Sequence, residues 1–340
     1  MAAQLAQIAA EAGVSIPTVS KVLNARPDVS ATTREKVTAV LREHGLEIRS
    51  RARAVTGLLD ARIVNLDGAW AETVVRGAAT AARRHDKDLV LTVDPDPDDC
   101  DGWVRRALSR GTDGLVSFVS VPSEDVRAEL ADSGVPLVVV DPLHRVPEGT
   151  VSISATNFQG AFDATAHLLG LGHSRIATVS GALDQDNAIA RFAGFQAAML
   201  RHGQPVDAAL VHRSGYGITN GYDATRALLE EADPPTAIFA ASDDSALGAI
   251  RAIRDQGLHV PDDISVIGFD DLPYSQWTDP PLTTIRQPLL EMGDAAVDLL
   301  IRIRAGVTVT AHTELSTRLI VRSSTAARGD VAHRSRTSPS

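Results

Sequence analysis

Apolar residues along the first 45 positions recur at helical spacing in three short blocks. Leu5, Ile8, Ala9 and Ala12 share one face of a first helix, and Gly13 is placed to stop it as the residue just past its C-terminus. Ser15 can cap a second helix, with Pro17 in a first turn where its missing N–H does no harm, and Val19, Val22 and Leu23 form the inward stripe. A third block after Ser30 turns Val37, Val40 and Leu41 inward and ends near Gly45. Helices this short are unfavourable in isolation, so the three must be held by packing on one another. A three-residue turn containing glycine between the first two makes the arrangement a helix-turn-helix.

From about residue 57 the pattern changes. Short apolar, β-branched runs (DGLVSFVS, VPLVVVD, RIATVSG, TAIFAAS, DISVIGFD) alternate with Ala- and Leu-rich helical segments such as AETVVRGAATAARRH and NGYDATRALLEEA. Continuous apolar strands separated by helices indicate parallel sheets covered on both faces. The stretch is too long for one such sheet, so two α/β lobes are expected, with ligand-binding loops beyond the C-terminal ends of the strands. The segment 326–340, rich in Arg, Ser and Thr, reads as a disordered tail.

Composition changes this picture in two ways. Among 340 residues there is a single cysteine, Cys100, which excludes an internal disulfide and a thiolate zinc set and fits a reducing cytoplasm. The N-terminal residues lack the basic and apolar regions of a signal peptide, and no apolar run reaches membrane-spanning length, so a cytoplasmic protein without membrane association is expected. The net charge of −10 hides an asymmetry: residues 1–56 carry eight cations and five anions, a net of +3, which leaves −13 for the rest. A basic head on an acidic body can meet phosphates with the head alone; a merely solvated charged surface is the other reading of charge by itself.

Catalytic patterns fail on inspection. DPDPDDCDG (94–102) alternates aspartates like a calcium loop, yet the turn glycine is replaced by Asp99 and the twelfth position is Arg105, so it reads as a solvated loop. In GYGITNG (215–221) the third glycine comes one residue too late for a dinucleotide fingerprint. Ser180 in TVSGA lacks the first glycine of a nucleophile elbow, and the ten histidines show no metal-ligand spacing. No enzyme, cofactor or metal is expected. On the second helix, by contrast, the inward stripe leaves Ile16, Pro17, Thr18, Ser20, Lys21 and Asn24 outside, a mixture suited to groove edges and phosphates of double-stranded DNA, with Ser15 beside them. An ordinary helical subdomain is the bland alternative.

The stretch QIAAEAGVSIPTVSKVLNARPDVSATTREKV resembles the head of the lactose-repressor (LacI/GalR) family of bacterial transcription regulators. The similarity continues through TNFQGAFDATAHLLGLGHSRIATVSG, PPTAIFAASDDSALGAIRAIRDQGLHVPDDISVIGFDD and PPLTTIRQPLLEMG. The resemblance implies an all-α helix-turn-helix head at 1–47, a hinge at 48–57 and a two-lobed periplasmic-binding-protein-like body at 58–325. It further implies an N-lobe of 58–156 plus 288–313 and a C-lobe of 157–287 plus 314–325. It also implies a homodimer on a pseudo-palindromic operator, with base reading by Ile16, Pro17 and Lys21 and phosphate contacts by Thr18 and Ser20. Effector positions fall on Trp70, Ser120, Asp141, Gln185, Asn187, Arg191, Tyr216, Ser242, Asp270 and Gln287.

Carboxylates, amides and a planar arginine pair with hydroxyls while aromatic faces cover C–H groups, which favours a neutral mono- or oligosaccharide over a purine or a phosphate. The segment LEIRSRARAVTGLLD departs from the family: it is shorter, and Ala52-Arg53-Ala54-Val55 lacks the leucine expected there. Arg49, Arg51 and Arg53 are the phosphate or minor-groove candidates in its place. The expected function is a sugar-released repressor of carbohydrate-utilisation genes. Corepressor logic, a solute-binding transport protein and a sugar-processing enzyme are the alternatives.

Overall fold

The computed structural model describes residues 2–23, 29–44, 56–96, 99–182, 184–213 and 215–328. The chain divides into two compact units, Met1–Thr56 and Gly57–Ser340. The first unit contains α1 (Ala2–Ala12), α2 (Ile16–Leu23) and α3 (Ala31–Glu43). Gly13 takes φ +67°, the left-handed conformation that ends α1, and Ser30 caps α3 by accepting the Thr33 N–H. Ile8, Ala9, Val19, Val22, Val37 and Leu41 form the small core that holds the three helices.

The second unit contains two six-stranded sheets of the same grammar. In lobe 1, β1 (Leu58–Ile63), β2 (Asp88–Val93), β3 (Gly114–Phe118), β4 (Leu137–Val140) and β5 (Val151–Ala155) alternate with α4 (Ala69–Arg84), α5 (Cys100–Arg110) and α6 (Glu124–Ser133). In lobe 2, β6 (Ile176–Ser180), β7 (Val211–Arg213), β8 (Ala237–Ala240), β9 (Ser265–Asp270) and β10 (Thr283–Arg286) alternate with α7 (Asn157–Gly170), α8 (Asp186–Arg201), α9 (Ile218–Leu229) and α10 (Asp243–Asp255). Both sheets run second-first-third-fourth-fifth strand, all parallel, so each has its switch point beside its first strand.

The C-terminal segment then serves both lobes. Helix α11 (Leu289–Arg304) packs on α4 in lobe 1, β11 (His312–Leu315) joins β5 in parallel, and β12 (Arg318–Ile320) joins β10 antiparallel in lobe 2. The last crossing therefore falls after Leu315, two residues beyond the expected 313, because β11 pairs through Leu315 with Ala155. The body also extends past the expected 325. Ala326 N–H donates to Ser265 Oγ, and Arg328 N–H donates to the Leu171 carbonyl, so these residues are tied to lobe 2 rather than part of a free tail. Asp99 of the acidic loop caps α5 by accepting the Gly102 N–H.

Three helix pairs cross on glycines with backbones in near contact. A Cβ on Gly293 of α11 would lie 2.0 Å from the Val74 carbonyl oxygen of α4, one on Gly194 of α8 2.2 Å from Phe158 O of α7, and one on Gly248 of α10 2.0 Å from Ile218 O of α9. No helix among the described residues is long and apolar enough to cross a membrane.

Candidate functional site

Two surfaces bring the sequence candidates together. On the head, Val19 and Val22 are buried, while Ile16, Pro17 and Lys21 lie on the exposed side of α2 and Ile16 is 47% exposed. Ser15 is the N-terminal cap of α2: its Oγ accepts the Thr18 N–H at 3.3 Å, and the two hydroxyls stand 2.8 Å apart. Thr18 and Ser20 are half-buried on the flanks. The remaining candidates Asn24, Arg49, Arg51 and Arg53 fall outside the described residues.

The body has a cleft of about 360 Å³ between its lobes, walled by the C-terminal ends of strands from both sheets. Trp70, Asp141, Asn187, Arg191, Tyr216, Ser242, Asp270 and Gln287 all line it. Two expected members do not. Ser120 lies behind the wall, where its hydroxyl accepts a hydrogen bond from the buried Arg62, and Gln185 precedes α8 with its amide oxygen buried away from the cleft lining. Ser242 lines the cleft, but its hydroxyl caps α10 by accepting the Ser245 N–H and donates to the Tyr216 carbonyl.

Arg191 is the centre of the polar lining. It is 3% exposed. Its Nε donates to Asn157 Oδ1 at 2.7 Å and its Nη1 to the Ala241 carbonyl at 2.6 Å, while the guanidinium carbon stacks 3.9 Å from the Phe269 ring centroid. Held this way, it stands 3.9 Å from Asp270 Oδ1 and also acts on Asp141. Burial pushes the Asp141 carboxyl above the usual carboxylate range and raises Asp270 well above it, with Arg191 opposing both shifts. Burial also pushes the Tyr216 phenol up to about 12, which keeps it a neutral donor to Asn187 Oδ1 at 3.1 Å.

Acceptors are in surplus here. Asp141 Oδ1 and Gln287 Oε1 are buried without a partner among the described residues, although Gln287 Nε2 donates to Asp270 at 2.6 Å. Such groups are costly unless a ligand donor reaches them. Val119, Asp141 and Asp270 also hold φ of +65°, +49° and +127°, a strain that collects at strand ends facing the cleft.

Sequence reasoning missed several residues. Asp244 lines the cleft and accepts from the Tyr274 hydroxyl at 2.5 Å; its signal was its place in the SDD run after a strand. Asn157, which orients Arg191, and Val119, a cleft residue by backbone geometry alone, carry no sequence signal of their role. Beneath the wall, Asp243 is fully buried and accepts from Leu272 N–H, Ser275 Oγ and Thr284 Oγ1.

Burial pushes the Asp243 carboxyl up to about 7 despite those donors. Because its proton is held more tightly folded than unfolded, the stability it contributes is complete in acid and is lost as pH rises from about 4 through about 7. Urea unfolding of Asp243→Asn, whose amide mimics the protonated acid, should show that part of the fall removed, up to about 1.4 kcal/mol per pH unit. Unchanged pH dependence would refute the assignment.

Residues 4–46 match the family model of bacterial regulatory proteins, lacI family, and residues 165–325 match a periplasmic binding protein-like domain. The regulator MalR of Streptomyces coelicolor is 37% identical over 342 residues, covering 96% of this chain and 97% of that protein. This chain belongs to the LacI family. As a LacI-family transcriptional regulator it carries the family's helix-turn-helix head and two-lobed body. Among solved structures, the transcriptional regulator CelR in complex with cellobiose has a TM-score of 0.73 at 30% identity and covers 94% of this chain and 99% of its own. The lac repressor dimer bound to operator and the anti-inducer ONPF has a TM-score of 0.71 at 31% identity, covering 94% and 98%.

Proposed function

We propose that this LacI-family regulator is a cytoplasmic, dimeric, non-enzymatic repressor released from a pseudo-palindromic operator by a neutral saccharide bound between the lobes. The observation that carries the saccharide is the surplus of buried acceptors, Asp141 Oδ1 and Gln287 Oε1, around one immobilised arginine, with Trp70 and Tyr216 beside them. Hydroxyls donate to such acceptors and C–H faces lie on the aromatic rings, whereas a phosphate would meet two carboxylates and one cation. The CelR–cellobiose complex supports this ligand class, and the lac repressor dimer on operator supports the DNA partner and the assembly. A ligand can move the lobes only through its different affinity for their two arrangements, so closure around the sugar must disfavour the operator-binding arrangement of the dimer.

Fluorescence anisotropy on operator DNA with candidate sugars tests the reading. A sugar should lower operator affinity, and Asp270→Asn should remove that response while leaving operator binding intact. A sugar that raised operator affinity would establish corepression instead, and operator affinity that no sugar moves would sink the effector assignment. On the head, Lys21→Ala should weaken specific binding by about 1–3 kcal/mol with a much smaller effect on random DNA, measured by competition at fixed salt. Equal losses on both DNAs would make Lys21 a phosphate contact rather than a base reader.

A further inference from the structure

Beyond the central cleft, a second chamber of about 440 Å³ lies along the same lobe boundary. Asp141 and Asn187 line both spaces, so the two meet at that pair. Its walls come from the segment after β4, from β5 and β11 in lobe 1, and from the first turns of α7 and α8 in lobe 2. It therefore spans the same lobe boundary whose movement would carry the effector signal. Two hydrogen bonds tie the boundary there: Asp186 N–H donates to the Leu143 carbonyl at 2.7 Å, and His144 Nδ1 lies 2.9 Å from the Asp184 carbonyl.

The lining has a definite chemistry. Asp141, Glu148, Asp186 and Glu314 supply four carboxyl groups against the one guanidinium of Arg145, so anionic ligands are repelled. No cluster of metal-ligating side chains is formed among the described residues. Phe158, in the first turn of α7, presents a 46% exposed ring to this chamber, although an aromatic side chain would ordinarily bury its area in the core. Carboxylate acceptors around an exposed aromatic face suit a group that offers hydroxyl donors on its edge and C–H groups on its face.

We infer that the second chamber is a further subsite for a hydroxyl-rich, uncharged sugar ring, with Phe158 as its platform and Glu314 and Asp186 as hydroxyl acceptors. This rests on the saccharide reading of the central cleft and extends it. The ring is either the next unit of an oligosaccharide held at the Asp141–Asn187 pair or a second free sugar. In either case, occupation presses on both lobes at the boundary and adds to their closure.

Titration calorimetry of the full chain with glucose, cellobiose, maltose and their trisaccharides decides the matter. One molecule per chain, with affinity rising about five- to tenfold from mono- to disaccharide or trisaccharide, supports the extended ligand. Two glucose molecules per chain support the separate sugar. In both cases Phe158→Ala, and independently Glu314→Gln, should erase the gain or the second event while leaving binding of the first monosaccharide unchanged. One molecule per chain with an affinity flat across chain length, or a gain that survives both substitutions, overturns the second subsite and leaves the central cleft standing. Failure of every saccharide to bind overturns both readings together.

Discussion

Arg191→Leu is expected to destabilise the body by about 3–5 kcal/mol and to abolish effector binding. The wild-type guanidinium is buried and fully oriented by Asn157, the Ala241 carbonyl and the Phe269 ring, and it faces two buried carboxylates. Leucine fills much of the volume but leaves Asp141 and Asp270 without their opposing charge. Their carboxyls, already raised by burial, would then rise further, since Arg191 is the leading influence holding them down. A raised folded-state pKa means stability lost with rising pH, so the deficit should be larger at pH 8 than at pH 5. Urea unfolding at both pH values checks this; an equal deficit at each would contradict the electrostatic account. Arg254→Leu, at an exposed arginine on α10, is the control and should stay within about 0.5 kcal/mol.

Gly248→Ala is expected to destabilise lobe 2 by about 1–3 kcal/mol, against the ordinary rule that alanine improves a helix. The new Cβ would stand 2.0 Å from the Ile218 carbonyl and 2.5 Å from the Tyr222 nitrogen, both backbone atoms of α9 that no rotamer change can move. The helices must part, and the buried Ile250, Ile253 and Leu228 around their contact lose close packing. Gly170→Ala, at the end of α7 with nothing within 4 Å, should instead raise stability by up to about 1 kcal/mol. Thermal unfolding of the pair gives opposite signs if backbone proximity is the cause. Two shifts of the same sign would show that helix propensity decides both.

The head was the more legible part of the molecule. Its stripe of Ile8, Val19, Val22, Val37 and Leu41 is local periodicity, and the structure buries each of them. In the body, parallel strands advertised themselves as apolar runs and the strand-end rule pointed to their following loops, while the family resemblance supplied the eight named residues that line the cleft. The errors have physical reasons. Asp141 is the first residue after β4, but Ser120 is the second after β3; Val119, the first, takes the cleft position with φ +65°, and Ser120 receives Arg62 behind it. The extent of the last segment was misjudged because its polar composition says nothing of the acceptors, the Leu171 carbonyl and the Ser265 hydroxyl, that wait for it in lobe 2.

By itself, then, the sequence determined what repeats locally: which segments are helices or strands, which face of α2 is bare, that two parallel sheets follow a helical head, and which family the motifs resemble. Only the tertiary structure decided what depends on residues far apart in the chain meeting at one place. It placed Arg191 between Asn157 and Asp270, left Asp141 and Gln287 with unanswered acceptors, buried Asp243 under the wall, and opened the second chamber beside Phe158. Periodicity reports the burial of a face, whereas desolvation, charge compensation and cavity shape arise from the sum of distant neighbours, which no local pattern encodes.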